Sequence, residues 1–322
     1  MTNWLKSHTR EAAVAGVILL LMLVLALVAP DYFSRENLAD LFIANMSVMI
    51  VALGMTLIIL TGQIDISVGS VFAICSIVTG VSAKWGLPGV LCGIIACMVG
   101  AACGALNGTL VGYLQIPSIV VTLATMVALR DGLRWQTQGA WIGNLPPHFQ
   151  WLGWSQPTYT AITAVLVVAL VLLFAWGLRH LAIGRLIFAT GSNPQAARIV
   201  GINTEQITFS VFAITGALTG LAATLNSVRF NQIPSNTGLG LEMKVIAAVA
   251  VGGATITGGA ATITGTVLGV ILLGSIGTAL TFLGVSAYWE KALQGGIILG
   301  AIAIHVLGNR ERNAASSEAL AR

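Results

Sequence analysis

The sequence predicts an all-α, polytopic helical membrane protein, and three observations predict it. Hydrophobic residues make up 57% of the 322-residue chain and charged residues only 8%, against about 45–50% and about 25% in ordinary globular proteins. Runs of about 20 apolar residues, enough to cross ~30 Å of hydrocarbon, recur along the whole length. Lys and Arg gather near the ends of those runs, where they set topology. A soluble core of this length could not hide so much apolar surface. The formal charge of +4 is small for the size and reads as topology and lipid-surface charge, with no case for nucleic acid.

Lys6 and Arg10 precede the first apolar run, 12–29. It is longer than a signal-peptide core and lacks a clear small-x-small cleavage site, which favours an uncleaved span after a short cytoplasmic N-terminus at 1–11. Further spans read at 41–60, 64–82, 88–113 and 116–129. An outer loop at 130–158 follows, then spans at 159–178, 207–228, 242–256, 258–283 and 287–307. About ten crossings make 12–307 one transmembrane domain and return both termini to the cytoplasm, with a small polar tail at 308–322. Lys6, Arg10, Arg179, Arg185, Arg198, Arg310, Arg312 and Arg322 then lie inside, against Arg35, Lys84, Arg130, Arg134 and Arg229 outside. That is the expected inner excess, though a modest one. The stretch 64–107, with its acidic residue, Gly/Ser-rich helix and Gly-spaced span, is echoed at 242–277. Five spans per half would make a duplicated half inverted in the membrane. Gly-rich membrane helices also resemble one another by composition alone.

Between the spans, 179–206 is a long polar connection placed inside by its arginines. Asn193-Pro194 offers a helix start, with Asn as cap and Pro at the first helical position. Residues 195–200 make a turn or two, and Gly201 can end it with a left-handed residue. A short capped helix on a membrane face is a handle for another protein, and Gly191, Asn193, Ala196, Ala197, Arg198 and Gly201 are its candidate contacts. Small Ala196 and Ala197 fit a groove, and Arg198 can pair with acidic residues there.

Four patterns within or beside the spans carry the rest. In TGQIDISVGS, Asp65 sits between Gly62-Gln63 and Ser67, Gly69, which reads as a break between two helices with Asp65 capping the second. An Asp in a span costs roughly 2.5–3.5 kcal/mol and should face protein or water. It is therefore a cap or a part of a transport pathway or gate. Gly100, Gly104, Gly108 and Gly112 lie on one helix face and let a neighbouring backbone approach closely, with Asn107 beside them as a polar contact. In 231–259, Glu242 opens an apolar helix, Lys244 can partner it or a nearby carboxylate, and glycine pairs at 252–253 and 258–259 interrupt the run. The outer loop holds Trp135, Trp141, Trp151 and Trp154 beside Arg130, Asp131 and Arg134, an interfacial anchor or a docking surface. Cys75, Cys92, Cys97 and Cys103 fall within spans without metal-ligand spacing and read as small hydrophobes. No lysine follows a glycine, so the chain has no phosphate-binding loop and cannot itself hydrolyse ATP.

These motifs resemble the permeases of ribose/xylose/galactose-type ABC importers. GQIDISVG is similar to the family's G-x-D-L-S-V-G signature, TGLGLEMKVIAAVAVGG to its T-G-x-G-x-E block, and 184–202 to its cytoplasmic coupling segment. The resemblance runs from the first span to Leu307. It implies a multi-pass subunit of a bacterial inner membrane that binds no cofactor and is not an enzyme. Implied partners are a cytoplasmic ATPase engaging the Asn193 region, a periplasmic sugar-binding protein at the Trp-rich loop, a second permease subunit and the lipid membrane. TGLGLEMKVIAA and GAWIGNLP look most like permeases for rhamnose or furanosyl autoinducers. The rival reading is a secondary transporter in which Asp65 or Glu242 carries a proton; a non-transporting structural subunit is a third.

Overall fold

In a computed structural model, the structure describes residues 2–300 apart from 287, 294, 297 and 298, with side chains from residue 11 onward. Helix α1 (Thr2–Val28) enters a 3-10 turn at Pro30–Phe33, and α2 (Arg35–Leu60) starts where the Ser34 hydroxyl accepts from the Asn37 N–H. Next come α3 (Val68–Lys84) and α4 (Gly89–Gly108), which ends in a π-helical turn at Thr109–Tyr113. They are followed by α5 (Ser118–Thr137), α6 (Gln156–His180), α7 (Ala182–Ser192) and α8 (Pro194–Ile199). The last described helices are α9 (Thr204–Ser227), α10 (Leu241–Val251) and α11 (Ile263–Phe282).

Among the described residues, α1, α2, α4 with its π turn, α6, α9 and α11 are long and apolar enough to span a membrane, and α3 is a shorter apolar helix. Every predicted span from 12–29 to 258–283 coincides with a helix. The tenth, 287–307, lies largely outside the described residues, and the tail 308–322 wholly so. Two predicted boundaries move. The outer loop does not begin at 130, because α5 continues to Thr137 and Gln138 closes it in the left-handed region. The spans at 242–256 and 258–283 shorten to α10 and α11, because Gly253, Gly258 and Gly259 all take positive φ and break the run.

Burial follows from where each helix sits. From Met46 to Thr61, α2 is buried at every position but Met49, as a helix apolar all round must be. α1 and α6 instead bury one narrow stripe and present Leu19, Leu23 and Leu27, or Val165, Leu172 and Leu173, outward, the composition of a lipid-facing surface. The most extensive helix contact is α4 against α9. A Cβ at Gly100 would strike the Gly216 carbonyl, one at Gly216 the Gly100 carbonyl, and one at Gly104 the Phe212 carbonyl. Gly108 meets Phe209 and Gly112 the Glu205 carbonyl. The predicted glycine face is thus a seam where two backbones touch, which supplies dense van der Waals contact in a bilayer that offers no hydrophobic drive.

The halves exchange partners. α9 packs on α3 and α4, while α2 packs on α10 and α11; α3 pairs with α4 as α10 does with α11. α2 and α9 pack on each other, Gly54 against Thr215. α2 thus stands to α10 and α11 as α9 stands to α3 and α4.

Candidate coupling and translocation site

The polar connection folds as two helices rather than a loop. In α7, Gly184, Ile187, Thr190 and Gly191 form a buried face. Gly191 is the telling residue, since a Cβ there would strike the Leu60 carbonyl and the Gly259 N–H. The Gly259 N–H also donates to the Leu60 carbonyl at 3.0 Å. A Cβ at Gly258 would meet both the Gly191 carbonyl and Gly62. The end of α2, the last turn of α7 and the glycine loop before α11 therefore meet backbone to backbone. A polar cavity of about 220 Å³, bounded by Thr61, Gln63, Thr190, Arg198 and Glu205 among others, adjoins this joint.

α8 has the predicted caps. The Asn193 side chain accepts from the Ala196 N–H at 3.0 Å, Pro194 takes the first helical position, and Gly201 sits at φ 85°. Two expectations for its face change. Ala197 is buried while Ala196 is exposed, so only one of the pair is available to a groove. Arg198 is already engaged: its guanidinium lies 2.7 Å from Glu205 and donates to the Thr204 hydroxyl at 2.8 Å. It braces α8 against the start of α9. The outward apolar side chains are instead Ile199, 86% exposed, and Val200, 74% exposed. Neither residue is a cap or a charge, but two β-branched residues ahead of a helix-ending glycine are a sequence signal for a presented patch.

The break between α2 and α3 is held by polar groups. Asp65 is buried, and its Oδ1 accepts from the Ser67 N–H at 2.8 Å and the Ser67 hydroxyl at 2.6 Å. Asn107 Nδ2 donates to Ser67 Oγ at 2.8 Å, which ties the break to α4. On its other flank the Ile64 N–H donates to Ser118 Oγ at 3.2 Å. Asp65 does not cap α3 directly. It lies two residues before Ser67, the residue at the cap position, and fixes that residue by a local turn. Ser67 itself supplies no capping side-chain bond.

At the start of α10, Glu242 is buried, and Gly69 of α3 makes the room, since a Cβ there would collide with Glu242 Oε2. Oε1 accepts from the Gly240 N–H at 3.3 Å. The charge partner is Arg130 of α5, 4.0 Å away, and both side chains are about nine-tenths buried. Arg130 is thus no loop residue: its Nε donates to Ser70 Oγ at 3.2 Å. Lys244 takes the other option predicted for it and pairs with Glu290 at 3.7 Å.

The Trp-rich segment is folded onto the chain between α9 and α10. Ile142 and Ile233 exchange backbone hydrogen bonds, and the Trp151 N–H donates to the Val228 carbonyl at 2.7 Å. Trp151 packs its ring on Tyr159, while Trp135, Trp141 and Trp154 point outward. This cap closes the face opposite α7 and α8.

Residues 37–302 match the family described as branched-chain amino acid transport system, permease component. The chain is 36% identical over 297 residues to the autoinducer 2 import system permease protein LsrC of Yersinia pseudotuberculosis, covering 92% of this chain and 84% of that one. It is 36% identical over 299 residues to the protein of the same name from Salmonella typhi, covering 92% and 85%. No solved structure matches. A permease component is not an enzyme; it works with a separate ATPase, a substrate-binding protein and another permease in the inner membrane. The chain belongs to this family of ABC-importer permease components.

Proposed function

We propose that the chain imports a small furanosyl or similarly hydroxyl-rich solute, the class to which its autoinducer-importing relatives point, with both of its termini in the cytoplasm. The ATPase docks on α8 through Ala196, Ile199, Val200 and Gly201, and the solute-binding protein on the Trp-rich cap. The observation that carries the coupling role is Gly191. Gly191, in the last turn of α7 and joined to α8 through Asn193, is in backbone contact with the helix break after Leu60 and with the glycine loop before α11. Displacement of a stiff, capped helix therefore reaches the segments next to Asp65 and α10 without passing through flexible chain. Asp65, Ser67, Gly69, Asn107 and Glu242 line or position the gates, and the seam of Gly100, Gly104, Gly108 and Gly112 keeps α4 and α9 moving as one body.

The test is uptake in the assembled importer. Gly201→Val forces a β-branched residue to φ 85°, and Ile199→Asp puts a charge into the docking patch. Both should abolish ATPase-driven uptake, and Ile199→Asp should also release the ATPase subunit from the membrane. Normal uptake with an intact complex in both variants would overturn the assignment.

A further inference from the structure

We infer that the polar cavity at the coupling joint is a regulatory site for a small, uncharged, polyhydroxylated solute arriving from the cytoplasm, an inference that rests on the permease reading and the topology proposed above. The cavity measures about 220 Å³ and is walled by separate pieces of chain. Gln63 comes from the break after α2, Gln115 from the link between the π turn and α5, Pro194 and Arg198 from α8, and Glu205 from the start of α9. These side chains also open it to solvent: Gln115, Pro194 and Arg198 are exposed, and Gln63 and Glu205 are partly so. The amides of Gln63 and Gln115 are bonded to no other described residue, and neither is sealed from solvent. Each offers both donors and an acceptor. Arg198 and Glu205, the two charged side chains in the wall, pair at 2.7 Å and cancel. A guanidinium with five N–H donors and a carboxylate with about four acceptor sites still keep bonding capacity beyond that contact. Donors and acceptors thus face one small space with no net charge, which is the complement of a ring of hydroxyls. An anion would meet Glu205, and an ammonium would meet Arg198. The volume lies below the ~300 Å³ at which pockets for drug-sized ligands begin, so the occupant is a single small ring.

Occupancy acts on the lever. Gln63 stands two residues before Asp65. Gln115 belongs to the link that follows Gly112, where a Cβ would strike the Glu205 carbonyl. A solute bonded at once to Gln63, Gln115 and Arg198 ties α8 to the helix break and to the glycine-seamed body of α4 and α9. The stroke proposed for α8 moves these walls relative to one another. A ligand shifts a two-state equilibrium only through its different affinity for the two states, and a site whose walls part during the stroke supplies that difference. The bound solute holds the lever still, so solute that accumulates in the cytoplasm slows further import.

The experiment uses proteoliposomes that hold the complete importer with its ATPase subunits outward and with binding protein and autoinducer-2 enclosed. Autoinducer-2 added outside then meets only the cytoplasmic face. ATP hydrolysis should fall about threefold, with half of the effect at about 1 mM, the affinity of a few net hydrogen bonds. Free glycine and acetate at the same concentration should leave it unchanged. Every rate is divided by the same variant's rate without external solute, so basal turnover does not enter. Gln63→Leu keeps most of the bulk and loses the amide, and Gln115→Gly removes a side chain carried at φ 54°, where glycine is at ease. Each should raise the half-inhibiting concentration about three- to tenfold, the loss of one neutral hydrogen bond. No inhibition of the wild type, inhibition that both variants leave unchanged, or equal inhibition by glycine would overturn the site and leave a cavity for water only. Should the wild-type importer move no autoinducer-2, the solute reading fails on its own, and D-ribose replaces it in both compartments. Inhibition by external D-ribose that the variants relieve upholds the site; its absence overturns it.

Discussion

Asp65 and Glu242 are the buried carboxylates of two helix breaks, Asp65 within the break before α3 and Glu242 in the first turn of α10, and their surroundings differ. Asp65 accepts two hydrogen bonds from Ser67, and Asn107 closes the group. Glu242 faces Arg130 at 4.0 Å with Oε2 unpartnered. At the first break Asp65 Oδ1 takes two short hydrogen bonds, while Asn107 Oδ1 has no partner. At the second, the ion pair is longer and its facing atoms are buried without a hydrogen bond. The first break thus holds its carboxylate by short local hydrogen bonds from Ser67, and the second by one backbone N–H and a longer-range ion pair with a guanidinium from α5.

The comparison can be broken most forcefully at Gly69, where a side chain would displace Glu242 without touching Asp65's partners. Gly69→Val should abolish uptake, with the importer failing to assemble or losing its solute coupling, while Gly80→Ala, whose Cβ would meet mainly the flexible Ile233 and Ile142 side chains, should cost far less. Uptake by Gly69→Val at wild-type rates would show that Glu242 has other room.

Next in size is the ion pair. Glu242→Gln orphans Arg130 and should lower unfolding stability by about 3 kcal/mol, read as a drop in melting temperature in detergent, and the added Arg130→Gln should recover most of it. No recovery would mean that the two residues are not energetically paired. Asp65→Ala leaves the Ser67 N–H without its acceptor and should cost about 1–3 kcal/mol. Asp65→Asn retains an acceptor oxygen and should cost less than Asp65→Ala. The smallest effect belongs to Arg198→Ala. Its partner Glu205 is a partly solvated one, so the loss should be no more than about 1 kcal/mol. A larger loss of ATPase association than of stability would return Arg198 to the docking surface.

Much of this was legible in the residues. Spacing alone located the Gly100–Gly216 seam from one side, the α8 caps, and the breaks around Asp65 and the 252–259 glycines. The partners of those features were not legible. Arg130 read as a loop charge because its helix carries Asp131 and Arg134 as well, and about two turns more of helix could not be told from the loop that follows. Arg198 read as a free cation because Glu205 lies beyond a helix end and Gly201, and only the left-handed turn brings it back. The role of Gly191 depends on two backbones from distant parts of the chain, a relation no local pattern encodes.

The central claim is that α8 is an inward-facing lever with Ile199 and Val200 as its contact. The most direct measurement is cross-linking from Val200→Cys, in a variant otherwise free of cysteine, within the assembled importer in intact cells. A cross-link to the ATPase subunit, with no labelling by a membrane-impermeant thiol reagent from outside, is the expected result. Labelling from outside, with no cross-link, would contradict the account.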